Sequence, residues 1–337
     1  MKIQRPGNGL HLDRPPRRFR LPRPQVLVLF TSYQCDARCA MCSTWVKQKS
    51  EPSISHEQIE KLFNDPLLKS SLEILNLTGG EPTLNPDLVS NVKTAVETCS
   101  RLRRVDLPTN GMNTGQVVDQ IERLAAAIAD CEVHLGITVS MDGLGPVHEA
   151  VRNRKGVFPQ VERTLMEVQE LTRAYPFMSV GINMTVGNQN ADELFRMRNY
   201  ARKRNIGINF TPAAISEIGV ESALMKDDFL PSEVQRAKIA DFFDILEESG
   251  EMLANHAQFA ANWLRTGRRT LDCSFRQGRN CLLEPDGSLY LCGNFKEFKL
   301  GNVWETSFTR AWRNMRRIPS TAWRKCVGCE SNCYLNP

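Results

Sequence analysis

This chain of 337 residues predicts an α/β fold built on a parallel sheet, followed by a smaller cysteine-rich region. Three observations carry that expectation. Six apolar, extended runs alternate with segments of helical periodicity between residues 26 and 211. Such alternation implies parallel strands joined by right-handed crossovers. After about residue 266 the pattern changes to short extended runs, with Pro285-Asp286-Gly287 as a hairpin signal and cysteines crowded around it. The strands could form a full barrel, a partial barrel or a doubly wound sheet, and periodicity does not choose. In each case ligand chemistry belongs at the carboxyl ends of the strands.

The first predicted strand is Val26–Thr31. A helix follows, with Ser55 as N-cap, Gln58 completing a capping box, and Ile54 and Ile59 placed as a hydrophobic staple. Glu73–Leu77 is the second strand, after which Pro86 is expected to open a helix with Val89, Val92 and Val96 inward. The third strand, Arg104–Leu107, leads through a turn at Asn110-Gly111 to a helix ending near Ile128. Val133–Ser140 and Met178–Val186 are the fourth and fifth strands, each followed by a helix. Gly207–Thr211 is the sixth, and Ser232 with Gln235 caps a helix that Gly250 ends.

Composition narrows the class. A hydrophobic share of 41% and a charged share of 24% exclude a disordered or fibrous chain. No apolar run approaches the ~18–20 residues of a membrane span, and the basic N-terminus lacks the apolar stretch of a secretory signal. A cytoplasmic setting is expected, where structural disulfides are rare. The formal net charge is +5, yet residues 1–23 alone carry +6 and the remainder −1. The basic excess therefore belongs to a Pro/Arg-rich arm, read as a weakly ordered, solvated tail. A neutral body argues against a nucleic-acid-binding face.

Eleven cysteines cannot all pair, and in a cytoplasmic chain they point to metal or redox chemistry. Cys35, Cys39 and Cys42 fall within Cys35-Asp-Ala-Arg-Cys39-Ala-Met-Cys42, directly after the first strand. Thiolate clusters select zinc or iron–sulfur. A closed zinc site takes four ligands, so three local ones suggest a 4Fe-4S cluster with one iron left open. Cys99 and Cys131 are read as small buried hydrophobes.

The Cys-X3-Cys-X2-Cys spacing after strand one resembles the radical S-adenosylmethionine superfamily. The family often has an aromatic residue before the third cysteine; here it is Met41. Thr78-Gly79-Gly80-Glu81-Pro82 at the end of strand two is similar to the family motif for the methionine amino group. Ser140 and Arg152, twelve residues apart, look like the pair that holds the methionine carboxylate or the ribose. Asn183 and Thr185 on strand five, with Phe210 and Thr211 on strand six, lie where the family contacts ribose and adenine. Cys273, Cys281 and Cys292, with Gly287 between the last two, and then Cys326, Cys329 and Cys333, resemble the SPASM/twitch extension that holds auxiliary clusters.

The resemblance implies a partial (β/α)6 TIM-like barrel with a small C-terminal auxiliary-cluster domain. The divisions are an arm over 1–23, the core over 24–215, a helical linker over 216–266 and the auxiliary domain over 267–337. It implies S-adenosyl-L-methionine, a catalytic 4Fe-4S cluster and one auxiliary 4Fe-4S cluster, with two as the alternative. A zinc-ribbon-like site is the alternative for the final Cys-X2-Cys. Cys281, Cys292, Cys326 and Cys329 would hold the auxiliary cluster, in some combination with Cys273 and Cys333. A one-electron reductant such as flavodoxin or ferredoxin would drive cleavage to a 5′-deoxyadenosyl radical, which abstracts hydrogen from an unactivated carbon. Oxidation or epimerisation of a small, sugar-like molecule is the expected outcome. A maturase acting on a ribosomal peptide is one alternative, and a non-enzymatic iron–sulfur or zinc regulator that binds nucleic acid is the other.

Overall fold

The computed structural model describes residues 21–47, 53–214, 229–252, 254–267, 273–294, 296–326 and 329. Most of the basic arm, residues 215–228 and Cys333 lie outside the described residues. The first half runs β1 (Val26–Ser32), α1 (Thr44–Lys47), α2 (His56–Phe63), α3 (Pro66–Ser71), β2 (Ile74–Gly79), α4 (Leu88–Thr98), β3 (Arg104–Thr109), α5 (Thr114–Ala127) and β4 (His134–Ser140). It continues with α6 (Pro146–Arg152), α7 (Phe158–Ala174), β5 (Met178–Val186), α8 (Leu194–Arg204), β6 (Gly207–Pro212), α9 (Glu233–Glu248) and α10 (Ala254–Thr266). The C-terminal part adds β7 (Asn280–Leu283), β8 (Ser288–Tyr290), β9 (Lys299–Asn302) and α11 (Phe308–Trp312).

Among the described residues the nine strands form one sheet in the order β6-β5-β4-β3-β2-β1-β7-β8-β9. The six core strands are parallel and lie in chain order. The sheet is not closed, since β6 has no strand on its far side among the described residues. This is the open, partial form of the barrel. β7 joins it parallel to β1, with Cys281 beside Leu27, so the cysteine-rich segment is hydrogen-bonded to the core.

Each core strand alternates. Leu27 and Leu29, Leu75 and Leu77, Val105 and Leu107, and Ile182 and Met184 are buried against the helices. The intervening positions, such as Asn76, Asp106, Thr138, Asn183 and Asn209, line a cavity of about 840 Å³ on the inner face. Period-2 alternation gives each strand one apolar and one polar face, and here the polar face lines the lumen.

The Ser55 capping box forms as expected, with Ser55 Oγ accepting from Gln58 N and Gln58 accepting from Ser55 N. Pro86 does not open α4. Pro82–Leu84 forms a short 3-10 turn and the helix starts at Leu88, so Leu88, Asn91, Val92 and Ala95 face inward while Val89 and Val96 are only half-buried. Cys99 is buried as expected, whereas Cys131 is only partly so.

Two contacts dock the C-terminal segment. Asp65 caps α3 through Leu67 N and also accepts from Thr309 N at 2.9 Å. Trp312 is fully buried, stacks on Phe308 and donates from Nε1 to the Pro22 carbonyl at 2.8 Å. Trp312→Ala should cost about 3–5 kcal/mol, since it leaves a large cavity. A shift in the chemical-denaturation midpoint at unchanged slope would report it.

Candidate active site at the carboxyl rim of the sheet

The loop after β1 carries the three clustered cysteines, and the end of β2 holds it in place. Gly80 N donates to Ser32 O at 2.8 Å and Glu81 N to Gln34 O at 2.7 Å. A Cβ on Gly80 would lie 1.9 Å from Gln34 O, and one on Gly79 would lie 2.2 Å from Ser32 O. Gly79 also has φ of +120°, a conformation that side chains disfavour. The double glycine is therefore required for backbone packing. On the other side of the loop, Ala40 N donates to Val151 O at 2.8 Å, which ties the loop to α6.

Cys35, Cys39, Cys42, Gly79, Gly80, Glu81, Ser140 and Arg152 all line one cavity of about 310 Å³. Asn183 lines the adjoining lumen, which shares Thr78, Pro108 and Ser140 with this cavity. Thr211 lines neither space, but its hydroxyl donates to Asn183 Oδ1 at 2.9 Å, and Asn209 Nδ2 donates to the same oxygen at 2.8 Å. Thr185 lines the rim cavity. Phe210 points the other way: it is buried in the helix-side core, edge-on to Phe242 at 4.8 Å. A strand reverses face at every residue, so Phe210 cannot lie on the same face as Asn209 and Thr211.

Two predicted side chains already have partners inside the protein. Glu81 is buried, with Oε2 accepting from Asn110 N at 2.6 Å and Oε1 from the Thr83 hydroxyl at 2.7 Å. Burial raises its carboxyl above the usual range, and these donors oppose the rise. Arg152 Nε lies 2.6 Å from Asp142 Oδ2, and its Nη1 donates to Cys39 Sγ at 3.4 Å. Asp142 is fully buried and also accepts from Thr185 N at 2.8 Å. Burial raises the Asp142 carboxyl, and the guanidinium pulls it back.

Sequence reasoning missed Asp142, although it sits in the same short string as Ser140. It also missed Trp45. This ring lines the cavity three residues after Cys42 and donates from Nε1 to Cys42 O at 2.8 Å, with the Arg38 guanidinium 5.5 Å from its centroid. An aromatic wall is thus present after the third cysteine, where Met41 gives none before it.

The donor set suits an iron–sulfur cluster. Three sulfurs on one loop face one cavity, and thiolates are the ligands such clusters take. Burial pushes the Cys35 thiol up to about 12 and raises that of Cys39, so each gives up a proton when a metal centre binds. Among the described residues no three His, Cys, Asp or Glu side chains are gathered tightly enough for one metal ion. A four-iron cube spaces its thiolates more widely than one ion does.

Of the C-terminal cysteines, Cys281 lies in β7 and Cys292 follows β8. Cys281 is buried in the main apolar core and directs Sγ to Val26 O at 3.6 Å. Cys292 belongs to the same core, and Cys326 packs against it. Asn294 links Cys292 to Cys329, donating from its backbone N–H to Cys292 Sγ at 3.4 Å and from Nδ2 to Cys329 Sγ at 4.0 Å. Cys273 stands in the turn before β7, where its carbonyl accepts from Gln277 N. Cys333 lies outside the described residues.

Residues 29–201 match the family described as the Radical SAM superfamily. The chain is 24% identical over 319 residues to the mycofactocin maturase MftC of Mycolicibacterium smegmatis, covering 93% of this chain and 76% of that protein. It is 25% identical over 339 residues to the AdoMet-dependent heme synthase of Methanosarcina barkeri, covering 91% and 88% respectively. Among solved structures it is similar to anSMEcpe with bound AdoMet, with a TM-score of 0.63 and 17% identity over 89% of this chain and 81% of that one. At that identity the likeness concerns the fold. No helix among the described residues is long and apolar enough to cross a membrane.

His148 is fully buried beneath the rim, and its Nδ1 accepts from Asp142 N at 3.1 Å. Burial, and then the positive charge of Arg152, bring it down to about 3. The unfolded chain binds a proton near pH 6.5 that the folded chain does not, so folding stability should fall as pH drops below about 6. The slope from this residue is about 1.4 kcal/mol per pH unit. Urea midpoints between pH 7 and pH 5 should fall less steeply in His148→Gln than in the wild type.

Proposed function

Because this chain belongs to the radical SAM superfamily, we propose that its rim cavity binds a 4Fe-4S cluster and S-adenosylmethionine for hydrogen abstraction from a substrate carbon in the lumen. When bound, the cluster supplies the electron that cleaves S-adenosylmethionine reductively, and the 5′-deoxyadenosyl radical so released takes the hydrogen. The observation that carries this reading is the convergence of eight predicted residues, from the ends of β1, β2 and β4 and from α6, on one cavity.

Each residue has a defined task. Cys35, Cys39 and Cys42 would hold the cluster. The backbone of Gly79, Gly80 and Glu81 forms one wall, positioned to receive the ammonium of the methionine. Glu81 fixes that wall to the end of β3 through Asn110 N. Ser140 and Arg152 line the same cavity and are suited to a carboxylate or a ribose hydroxyl. Asn183, held by Asn209 and Thr211, presents its amide to the lumen. Trp45 and Met41 limit water at the cysteine side. Cys281, Cys292, Cys326 and Cys329 are the proposed auxiliary ligands, with Cys273 and Cys333 as the remaining thiols. The electron arrives from an external carrier such as flavodoxin or ferredoxin.

The substrate proposed is a polar small molecule, because the lumen is lined by Asn76, Asp106, Thr138, Asn183 and Asn209. Net oxidation follows if an electron leaves through the auxiliary cluster, and epimerisation if a spare thiol returns a hydrogen. A peptide is the second reading. The similarity to maturases supports it, and a lumen of this size also admits a peptide side chain.

Anaerobic reconstitution tests the proposal. The wild type should take up about eight iron atoms per chain, two 4Fe-4S clusters, and should form 5′-deoxyadenosine when dithionite is added. The Cys35→Ala/Cys39→Ala/Cys42→Ala variant should keep about half the iron and form none. Zinc uptake alone, with no 5′-deoxyadenosine from the wild type, would contradict it.

A further inference from the structure

Arg152 is the last residue of α6, and its guanidinium is 2.6 Å from a fully buried carboxylate and 3.4 Å from a cysteine sulfur. Only 7% of Arg152 and none of Asp142 is exposed. Neighbouring bonds fix both. Asp142 Oδ1 accepts from Thr185 N at 2.8 Å, its backbone N–H donates to His148 Nδ1, and its carbonyl accepts from Asn190 Nδ2 at 2.9 Å. The backbone bond from Ala40 N to Val151 O holds the loop of Cys39 against the turn that carries Arg152. A buried charge held this firmly has a consequence beyond ligand binding.

We propose that Arg152, clamped by Asp142, sets the reduction potential of the cluster through its hydrogen bond to Cys39 Sγ. The inference rests on the reading that Cys39 is a cluster ligand. Reduction adds one electron from the external carrier to the cluster. No bond forms or breaks, and Arg152 gives up no proton. A donor and a positive charge at a ligand sulfur stabilise the more negative, reduced state, so they raise the potential. Low solvent access strengthens the effect, because little water screens the guanidinium. Asp142 is a positioning residue here: it orients the fork so that Nη1 faces the sulfur.

The test is an EPR-monitored redox titration of reconstituted protein. The couple in question is the signal missing from the Cys35/Cys39/Cys42 triple variant. Arg152→Gln should make reduction at least about tenfold less favourable, a fall of about 59 mV for one electron. Arg152→Lys keeps the charge without the planar fork and should shift the potential in the same direction by less. A loosened loop would lower cluster occupancy without moving the potential of the clusters that remain. An unchanged potential in loaded Arg152→Gln overturns the inference. If that variant does not load, an unchanged potential in Arg152→Lys overturns it. A wild-type chain that binds no cluster at these cysteines overturns the reading beneath it as well, and is recognised by its missing signal.

Discussion

The close contact between the end of β2 and the loop after β1 is the constraint on which the rest of the site depends. Gly79 and Gly80 press against Ser32 and Gln34 so closely that no side chain fits between them. That contact fixes where the cysteine loop leaves the sheet. The loop then reaches α6 through Ala40 and Val151, which brings Arg152 to Cys39. Glu81, the next residue in the chain, turns inward and accepts from Asn110 at the end of β3. One pair of glycines thus sets the relation among the ends of three strands, a helix and three thiols.

The charged groups of the rim are arranged before any ligand arrives. Glu81 accepts from backbone and hydroxyl donors, and Arg152 is ion-paired with Asp142 and donates to a sulfur. Removing one member of such a buried set leaves the other uncompensated, which costs about 3–5 kcal/mol for a buried ion pair. The surface offered to a ligand therefore combines sulfurs and backbone with side chains already held in place, Arg152 among them. Preorganised groups of this kind do not have to reorient when charge develops. On the other flank, β1 pairs with β2 and with β7 at once, so the strand that leads into the cysteine loop also carries the C-terminal hairpin. Burial of Trp312 in the main core and the Asp65–Thr309 contact hold α11, further along the chain, in place.

Much of this was legible in the sequence. The six strands, their order along the chain and the Ser55 cap follow from periodicity and local bonding. Choosing between barrel and doubly wound sheet was harder from apolar runs alone. The polar alternate positions, Asn76, Asp106, Thr138, Asn183 and Asn209, carry that information, because a sheet covered on both faces has no place for them. Gly79 and Gly80 were readable as a site of close approach, but the partner is the chain's own loop as well as any ligand. Phe210 was misplaced because its neighbours were read without the alternation that turns it toward Phe242. Asp142 escaped notice because its importance lies in a contact with Arg152, ten residues away, across a helix that the sequence did not announce. The neutral overall charge of the body likewise says nothing of a single buried guanidinium beside a thiol.

In the proposed site one cavity would hold the cluster and the methionine end of S-adenosylmethionine in contact. Electron–nuclear double resonance on the reduced, reconstituted protein with S-adenosylmethionine carrying a 15N amino group tests it most directly. The account predicts a hyperfine coupling between the labelled nitrogen and the cluster on Cys35, Cys39 and Cys42, lost in the triple alanine variant. A fully loaded cluster with S-adenosylmethionine bound and no nitrogen coupling would contradict it.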